Sequence, residues 1–349
     1  MTMPDPASAA APRVSAIVVN WNGGTMLDEC LESLFAQTWP DLEVVLVDNA
    51  SRDGSAERAI ARWGSRLVSI VNARNDGFAR GNNLGFQRAT GEWLFLLNND
   101  AIAAPGAISA LMEFVRGRDD VGSLACRIHR REEPNVFDSA GLLIYPDGVG
   151  RPRGWQEKDL GQFDRADQVI APHGCACAYR RRMLEDTGGF DEAYFCYLED
   201  VDLGMRAQLM GWKSWYVPDA RVLHHKSATA GNYSKFKAYH VERNRIWNAV
   251  KLMPRWVLLI SPLFSLNRYL MQFYAARTHS GLSAEFVKEY SWFGLIWVML
   301  RAYTAALWRL PRMVMERHRL SKRRRITTRE WYELISRYKL DAIELALKY

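Results

Sequence analysis

Three acidic positions stand far apart in this 349-residue chain, each inside a short polar cluster: Asp48-Asn49, Asn98-Asn99-Asp100 and Glu199-Asp200. The first two clusters close apolar runs, residues 42–47 (LEVVLV) and 93–97 (WLFLL). A further cluster, Asn20-Trp21-Asn22, closes the run that begins at Val14. One strand ending in amides and an acid is a turn. Three such ends point to a pocket. Carboxylates repel a bare diphosphate, so a divalent cation between them is the chemistry that fits, because hard cations take oxygen ligands and bridge phosphate oxygens. The glycine fingerprints GxGxxG and GxxxxGK[ST] are missing after the first strand, so a phosphate-cradling glycine loop is not the device. Glu199-Asp200 belongs to a second acidic group with Asp191, Glu192 and Asp202, set among Tyr194, Phe195 and Tyr197. A carboxyl held against such walls has its pKa raised toward working pH and acts as a general base. The plainer alternative is that these acids only cap a helix.

The elements that must position these groups are legible as an alternation. Residues 14–20, 42–47, 67–71 and 93–97 are apolar and strand-like. Residues 25–37, 55–63 and 81–89 carry helical spacing, with Thr25 a candidate cap and Asp28 three residues on. Apolar strands separated by helices predict an α/β, Rossmann-like fold with a mostly parallel central sheet flanked by helices. Ligands bind such sheets beyond the carboxyl ends of the strands, which brings the three polar clusters to one edge. Residues 121–170 mix short strands with turns, and a helix is expected over 200–210, ending at Gly211. His173-Gly174-Cys175-Ala176-Cys177 has a metal-like look, but its spacing fits no usual structural zinc pattern. Asp53-Gly54 reads as a turn.

Composition divides the chain. From Tyr233 onward there are 22 Lys+Arg against 8 Asp+Glu, and the preceding part is net acidic. The basic segment also holds six of the thirteen tryptophans. Together these imply an anionic partner. The acidic part repels nucleic acid, so a membrane surface is the favoured partner. Residues 256–276 and 291–310 approach the length of a membrane span. Each carries an internal arginine, Arg268 or Arg301, and Pro262 breaks the first. The expectation is therefore helices lying in the interface, with the basic run 312–325 adding attraction to anionic lipid. Five scattered cysteines fit reduced thiols. Residues 1–12 are read as a flexible tail without a signal-peptide core, residues 13–232 as the α/β domain and residues 233–349 as a C-terminal helical, basic extension. The expected location is cytoplasmic, peripheral on the inner face of the cell membrane.

The segments VSAIVVNWNGG, LVDNASRDGS, NARNDGFARGNNLG, LFLLNNDA, GGFDEAYFCYLEDVDLGMRAQLMGW and VLHHKSAT, followed by Arg243-Asn244, occur in sequential order. With them the chain resembles glycosyltransferase family 2 with the GT-A fold, in the subgroup of bacterial rhamnosyltransferases of surface-polysaccharide assembly. The resemblance spans about residues 13–250. It implies an inverting transfer of a sugar, rhamnose from dTDP-rhamnose by the subgroup likeness, from a nucleotide-diphosphate donor to a saccharide or polyprenyl-diphosphate-linked acceptor. It implies roles as well. Asn20, Trp21, Asp48, Asn75, Gly77, Asn82, Asn83, Asn98, Asn99 and Asp100 bind the donor, Trp21 stacking on the base and Asp48 hydrogen-bonding it. Asp100, with His224, holds Mg²⁺ or Mn²⁺, and neighbouring His225 is an alternative to His224. Asp200, beside Glu199, is the catalytic base. His173 and Arg243 lie on the acceptor side. Asn98 departs from the family's DxD pattern, which loosens the expected hold on the cation. A processive polysaccharide synthase is disfavoured because QxxRW is missing. A non-enzymatic basic adaptor or nucleic-acid binder leaves Asp48, Asp100 and Asp200 unexplained, and an NAD-linked oxidoreductase lacks its glycine fingerprint.

Overall fold

The computed structural model describes residues 11–225, 234–277, 281–341 and 344–345. In chain order the α/β part begins β1 (Val14–Asn20), α1 (Met26–Phe35), β2 (Leu42–Asp48), α2 (Ser55–Trp63), β3 (Leu67–Val71), α3 (Gly77–Arg88), β4 (Trp93–Leu97). It continues β5 (Ala101–Ala103), α4 (Ala107–Phe114), β6 (Val121–Arg130), β7 (Phe137–Ser139), β8 (Leu142–Ile144), β9 (Gly150–Pro152) and β10 (Asp167–Gln168). It closes with β11 (Ala176–Arg180), α5 (Arg181–Thr187), α6 (Glu199–Leu209) and β12 (Lys213–His224). Five helices follow: α7 (Lys235–Leu252), α8 (Arg255–Arg277), α9 (Gly281–Trp308), α10 (Leu310–Arg323) and α11 (Thr328–Arg337).

The main sheet runs β10-β12-β6-β11-β4-β1-β2-β3, with β5 paired to β12 and β7 to β6. The parallel expectation holds from β3 to β4. Beyond β4 the sheet is mixed. β11 lies antiparallel between β4 and β6, and β6 and β12 run parallel to each other. Antiparallel neighbours need no crossover helix, so from β6 to β11 no helix separates the strands and the strand–helix alternation no longer gives the sheet order. Side chains alternate in the central strands. Ile17, Val45, Val47, Leu94 and Leu96 enter one buried cluster. Ala16, Val18, Val44, Leu46 and Phe95 enter the cluster on the opposite face. Burial on both faces is why these strands read as continuous apolar runs.

Two details differ from the sequence reading. Thr25 precedes α1, but its side chain makes no capping hydrogen bond, and Asp28 instead pairs with Arg58 at 3.7 Å. Helix α3 starts at Gly77, a turn before the expected Gly81. Its glycines are weak helix formers, and two of them serve packing. A Cβ at Gly81 would meet Val19 at 2.8 Å, and one at Gly85 would meet Ile17 at 2.5 Å. The glycines let α3 lie close on β1. Of the expected N-terminal tail, residues 1–10 lie outside the described residues, while the Pro12 carbonyl accepts from the Trp39 indole at 3.0 Å.

The C-terminal helices pack onto the α/β part. Leu252, Met253, Leu320, Trp331 and Ile335 share a core cluster with Ile17 and Leu203. Arg268, which looked costly inside an apolar run, is turned inward. It binds Asp147 at 2.7 Å and Glu242 at 2.9 Å. Among the described residues no helix is long and apolar enough to cross a membrane.

Candidate active site

Parallel pairing fixes the first contact of the site. The register sets Asn20 beside Asp48 at the carboxyl ends of β1 and β2. The Asn20 amide donates to Asp48 at 2.9 Å and to the hydroxyls of Ser51 and Ser55 at 3.0 Å each. Its carbonyl oxygen accepts from Asn99 at 2.8 Å, so the end of β4 joins the same edge. Asp48 also accepts from the Ser51 backbone at 3.0 Å and the Ser51 hydroxyl at 2.6 Å. Trp21, next in sequence to Asn20, has 41% of its surface exposed. Asp53 does more than turn the chain. It accepts from the Gly24 and Ser55 amides at 2.7 and 3.1 Å and so pins the loop after β1 to α2.

Asp100 is positioned by the far end of β12. His224 pairs with Ala101 in register, and the His225 amide donates to the Asp100 carbonyl at 2.9 Å. The imidazole of His224 lies 3.3 Å from Asp100 Oδ1 through Nε2 and 2.8 Å from Asp138 through Nδ1. Burial opposes charge on this ring. Cys175, Asp100 and Asp138 outweigh it and hold the His224 pKa well above its ordinary value. Asp138, also desolvated, is pulled down to about 2, mainly by His224. His225 is turned away, toward Glu132 at 3.1 Å, so His224 is the histidine beside Asp100.

Asp100 Oδ1 is buried without a hydrogen bond among the described residues. A carboxylate oxygen in that state, an imidazole 3.3 Å away and a second carboxylate orienting the ring form a donor set that suits a hard divalent cation. Among the described residues no three His, Cys, Asp or Glu side chains are placed to hold a metal ion together, so a cation here would take most of its ligands from other oxygens.

The acidic group after Gly189 separates by role. Asp191 is ion-paired to Lys251 and Arg312 at 2.9 and 2.7 Å. Asp202 pairs with Arg206 and Lys251 at 2.8 and 2.7 Å. Glu192 is exposed and meets Asn83 and Arg80 at 3.1 and 3.4 Å. Glu199 is buried, with Oε2 unpartnered among the described residues. Burial first, then Asp200 and Asp202, pushes its carboxyl well above the usual range. Asp200 is the oriented carboxylate: it accepts from the Gly174 amide at 3.0 Å and the Val201 amide at 2.8 Å. Gly174 ties it to the sheet edge, since the next residue, Cys175, accepts from the Asn98 amide at 2.8 Å. The loop before α6 is bent sharply, with Phe195, Tyr197 and Leu198 all at positive φ.

The remaining predicted residues take up structural contacts around this edge. Asn75 accepts from the Gly77 amide at 2.9 Å, and Gly77, at φ +82°, could carry no Cβ without meeting the Phe195 carbonyl. Asn82 donates to Phe78 at 2.9 Å. Asn83 exchanges two hydrogen bonds with the Phe190 backbone, so its amide holds the acidic loop. His173 accepts from the Cys175 amide at 3.3 Å, and burial lowers its pKa. Cys177 lies in β11, packed in the sheet. Arg243 donates to the Tyr194 carbonyl at 2.7 Å and stacks on Trp247. Ser51, Ser55 and Asp138 were not singled out in advance. The serines follow Asp48 at three and seven residues, a signal that was available. Asp138 stands alone in an irregular stretch and gave none.

Parallel strands that gather amides and carboxylates at one edge, with an oriented carboxylate on the adjoining loop, make the candidate active site of a transferase. The family model described as "Glycosyltransferase like family 2" matches residues 12–258, and the chain belongs to that family. It is a glycosyltransferase. Over 281 residues it is 30% identical to the N-acetylglucosaminyl-diphospho-decaprenol L-rhamnosyltransferase of Mycobacterium tuberculosis, covering 69% of this chain and 88% of the relative. It is 28% identical to the O-antigen biosynthesis protein RfbC of Myxococcus xanthus over 227 residues, or 62% of this chain and 18% of that protein. These likenesses make it rhamnosyltransferase-like, of the kind found in polysaccharide assembly. The fold is that of solved GT-A enzymes. S. aureus TarS 1–349 in complex with UDP-GlcNAc matches with TM-score 0.54 at 17% identity, covering 93% of this chain and 91% of that one. The Pyrobaculum calidifontis mannosyltransferase PcManGT in complex with GDP-Man and Mn²⁺ matches with TM-score 0.51 at 21% identity, covering 88% and 89%.

Proposed function

We propose that this enzyme transfers rhamnose from dTDP-rhamnose, with inversion, to a hydroxyl of a polyprenyl-diphosphate-linked saccharide during cell-surface polysaccharide synthesis. The observation that carries the reading is the shared edge: Asn20, Asp48 and Asn99 in one hydrogen-bonded cluster, Asp100 next in sequence, and Asp200 tied to that edge through Gly174. The mycobacterial relative, a rhamnosyltransferase named for a diphospho-decaprenol acceptor, supports the choice of donor sugar and acceptor.

In this reading Trp21 stacks on the donor base and Asp48 with Asn20 orders the wall beneath it. Asp200 takes the proton of the acceptor hydroxyl as its oxygen bonds to the anomeric carbon and the bond to the donor diphosphate breaks. A positioned base of this kind contributes about 10² to 10⁴-fold in rate. Attack from the face opposite the diphosphate inverts the anomeric centre. Asp100 and His224 would hold a divalent cation, which when bound supplies positive charge to the departing diphosphate.

The C-terminal helices support attachment to a membrane surface. Trp256, Leu259, Leu263, Leu266, Leu270 and Phe273 are all exposed along one stripe of α8. That stripe lies on a segment with a net positive charge, which suits an anionic lipid surface. We place the enzyme on the inner face of the cell membrane, where five free cysteines are at home. The test is a panel of dTDP-, UDP- and GDP-sugars with a lipid-linked saccharide acceptor and Mg²⁺ or Mn²⁺. Transfer from dTDP-rhamnose is the expected result, and consumption of another donor in its place overturns the sugar assignment.

A further inference from the structure

Away from the strand ends, two adjoining cavities are formed with contributions from the C-terminal helices. The first, about 620 Å³, lies between Glu192–Phe195, α7 and the start of α10. Arg243, Arg309 and Arg312 converge on it. Arg243 is fixed by the Tyr194 carbonyl and the Trp247 ring. Arg312 leans on Asp191, with 42% of its side chain still exposed. Arg309 is exposed, and no carboxylate lies within ion-pair distance of it among the described residues. The one acid on the wall, Glu192, is drawn toward Arg80 and Asn83. His240, brought down to about 3 by burial and by Arg243, adds no charge at neutral pH. With Arg312 shared with Asp191, and with Glu192 on the wall, the cavity keeps a net positive charge, carried mainly by Arg243 and Arg309.

The second cavity, about 390 Å³, shares Phe236 and His240 with the first. Its other walls are Tyr239, Trp297 and Val298, with Lys235 and Arg301 at the same cavity. Trp297 is 57% exposed and belongs to the apolar outer surface of α9. A charged chamber thus continues into one whose exposed wall is mainly aromatic and apolar, with Lys235 and Arg301 beside it, and which reaches the greasy face of the helices. Neither a free phosphate nor a plain hydrocarbon uses both.

We propose that the two cavities together bind an isoprenoid diphosphate, with the diphosphate on Arg243, Arg309 and Arg312 and the first isoprene units against Phe236, Trp297 and Val298. Its role as acceptor carrier rests on the function proposed above. The wall of the cavity belongs to the loop that runs into the base: Phe195 lies five positions before Asp200, and Asn244 grips the Tyr194, Cys196 and Tyr197 carbonyls at 3.1, 3.0 and 2.7 Å. A head group held there directs the sugar it carries toward that loop.

The test uses the full chain in EDTA, titrated calorimetrically with geranylgeranyl diphosphate, inorganic diphosphate and geranylgeraniol. Geranylgeranyl diphosphate is expected to bind at least about tenfold tighter than either fragment, and Arg309→Glu to weaken it by about tenfold or more, with Arg309→Lys recovering most of the loss. Thermal stabilisation by nucleoside diphosphate with Mn²⁺ stays unchanged in Arg309→Glu, which shows that the variant is folded. Equal affinity for inorganic diphosphate, or Arg309→Glu binding like the parent, overturns the proposal. Arg309-dependent binding without any sugar transfer sinks the acceptor role and the function reading, and leaves the binding site standing.

Discussion

The sheet and helix α8 treat polarity in opposite ways. The strands bury apolar side chains on both faces and collect their amides and acids at one edge, where Asn20, Asp48 and Asn99 bond to one another. Helix α8 turns Ser265, Arg268 and Tyr269 inward onto Asp147, Glu242 and Arg245, and presents Trp256, Leu259 and Leu263 outward. The contrast fits the function proposed above, in which the polar edge takes a water-soluble donor and the helix with its polar side hidden faces lipid.

The widest break in this comparison comes from the polar edge. Asp200→Asn is expected to lower sugar transfer about 10² to 10⁴-fold while nucleoside-diphosphate binding, read by thermal shift, stays close to the parent. Near-normal turnover would remove Asp200 from the mechanism. Next is the hidden side of α8. Arg268→Ala leaves Glu242 and Asp147 buried beside an empty position, and losing one partner of such a network costs about 3–5 kcal/mol. Urea unfolding measures this, and a loss below about 1 kcal/mol would mean that α8 is not held by its polar face. Asp138→Asn removes the carboxylate that orients His224, and is expected to weaken Mn²⁺ affinity about 10- to 100-fold, measured by the metal dependence of donor binding.

Smaller effects sharpen the other side. Leu259→Glu with Leu263→Glu is expected to release the protein from anionic vesicles by at least about tenfold, since burying each leucine is worth about 1.5–3 kcal/mol. Donor binding in solution is unchanged. Vesicle sedimentation with the double variant still bound would count against the lipid-facing stripe. The last test is by acid. The carboxyls of Asp191 and Glu242 are brought down to about 2, against the opposing effect of burial, by Lys251 and Arg312 for the first and by Arg245 and Arg268 for the second. Folded values below the unfolded ones mean that this stabilisation is complete above the ordinary carboxylate range near about pH 4, and is lost as pH falls through about 2. Denaturant midpoints between pH 5 and pH 2 should fall accordingly, and less steeply in Glu242→Gln.

Legibility followed the same divide. The first four strands were readable because burial on both faces leaves an unbroken apolar run, and β1, α2, β3 and β4 have the expected bounds. The edge was readable because parallel strands end together. Position 138 was not, since its partner His224 is 86 residues away and only the β6–β7 and β6–β12 pairings bring them together. The sorting of the acids after Gly189 was hidden as well. Asp191 and Asp202 are claimed by Lys251 and Arg312, which come from helices whose docking no local pattern announces. Arg268 looked like a charge stranded in grease because its partners lie on α7 and in the turn between β8 and β9.

The inside-out character of α8 also governs how the protein behaves once extracted. The stripe from Trp256 to Phe273 is exposed among the described residues, so under the membrane attachment proposed above it is covered, away from a bilayer, by another copy of itself or a surfactant. Preparations in plain buffer should run as large, concentration-dependent assemblies that collapse to a smaller size when mild detergent is added.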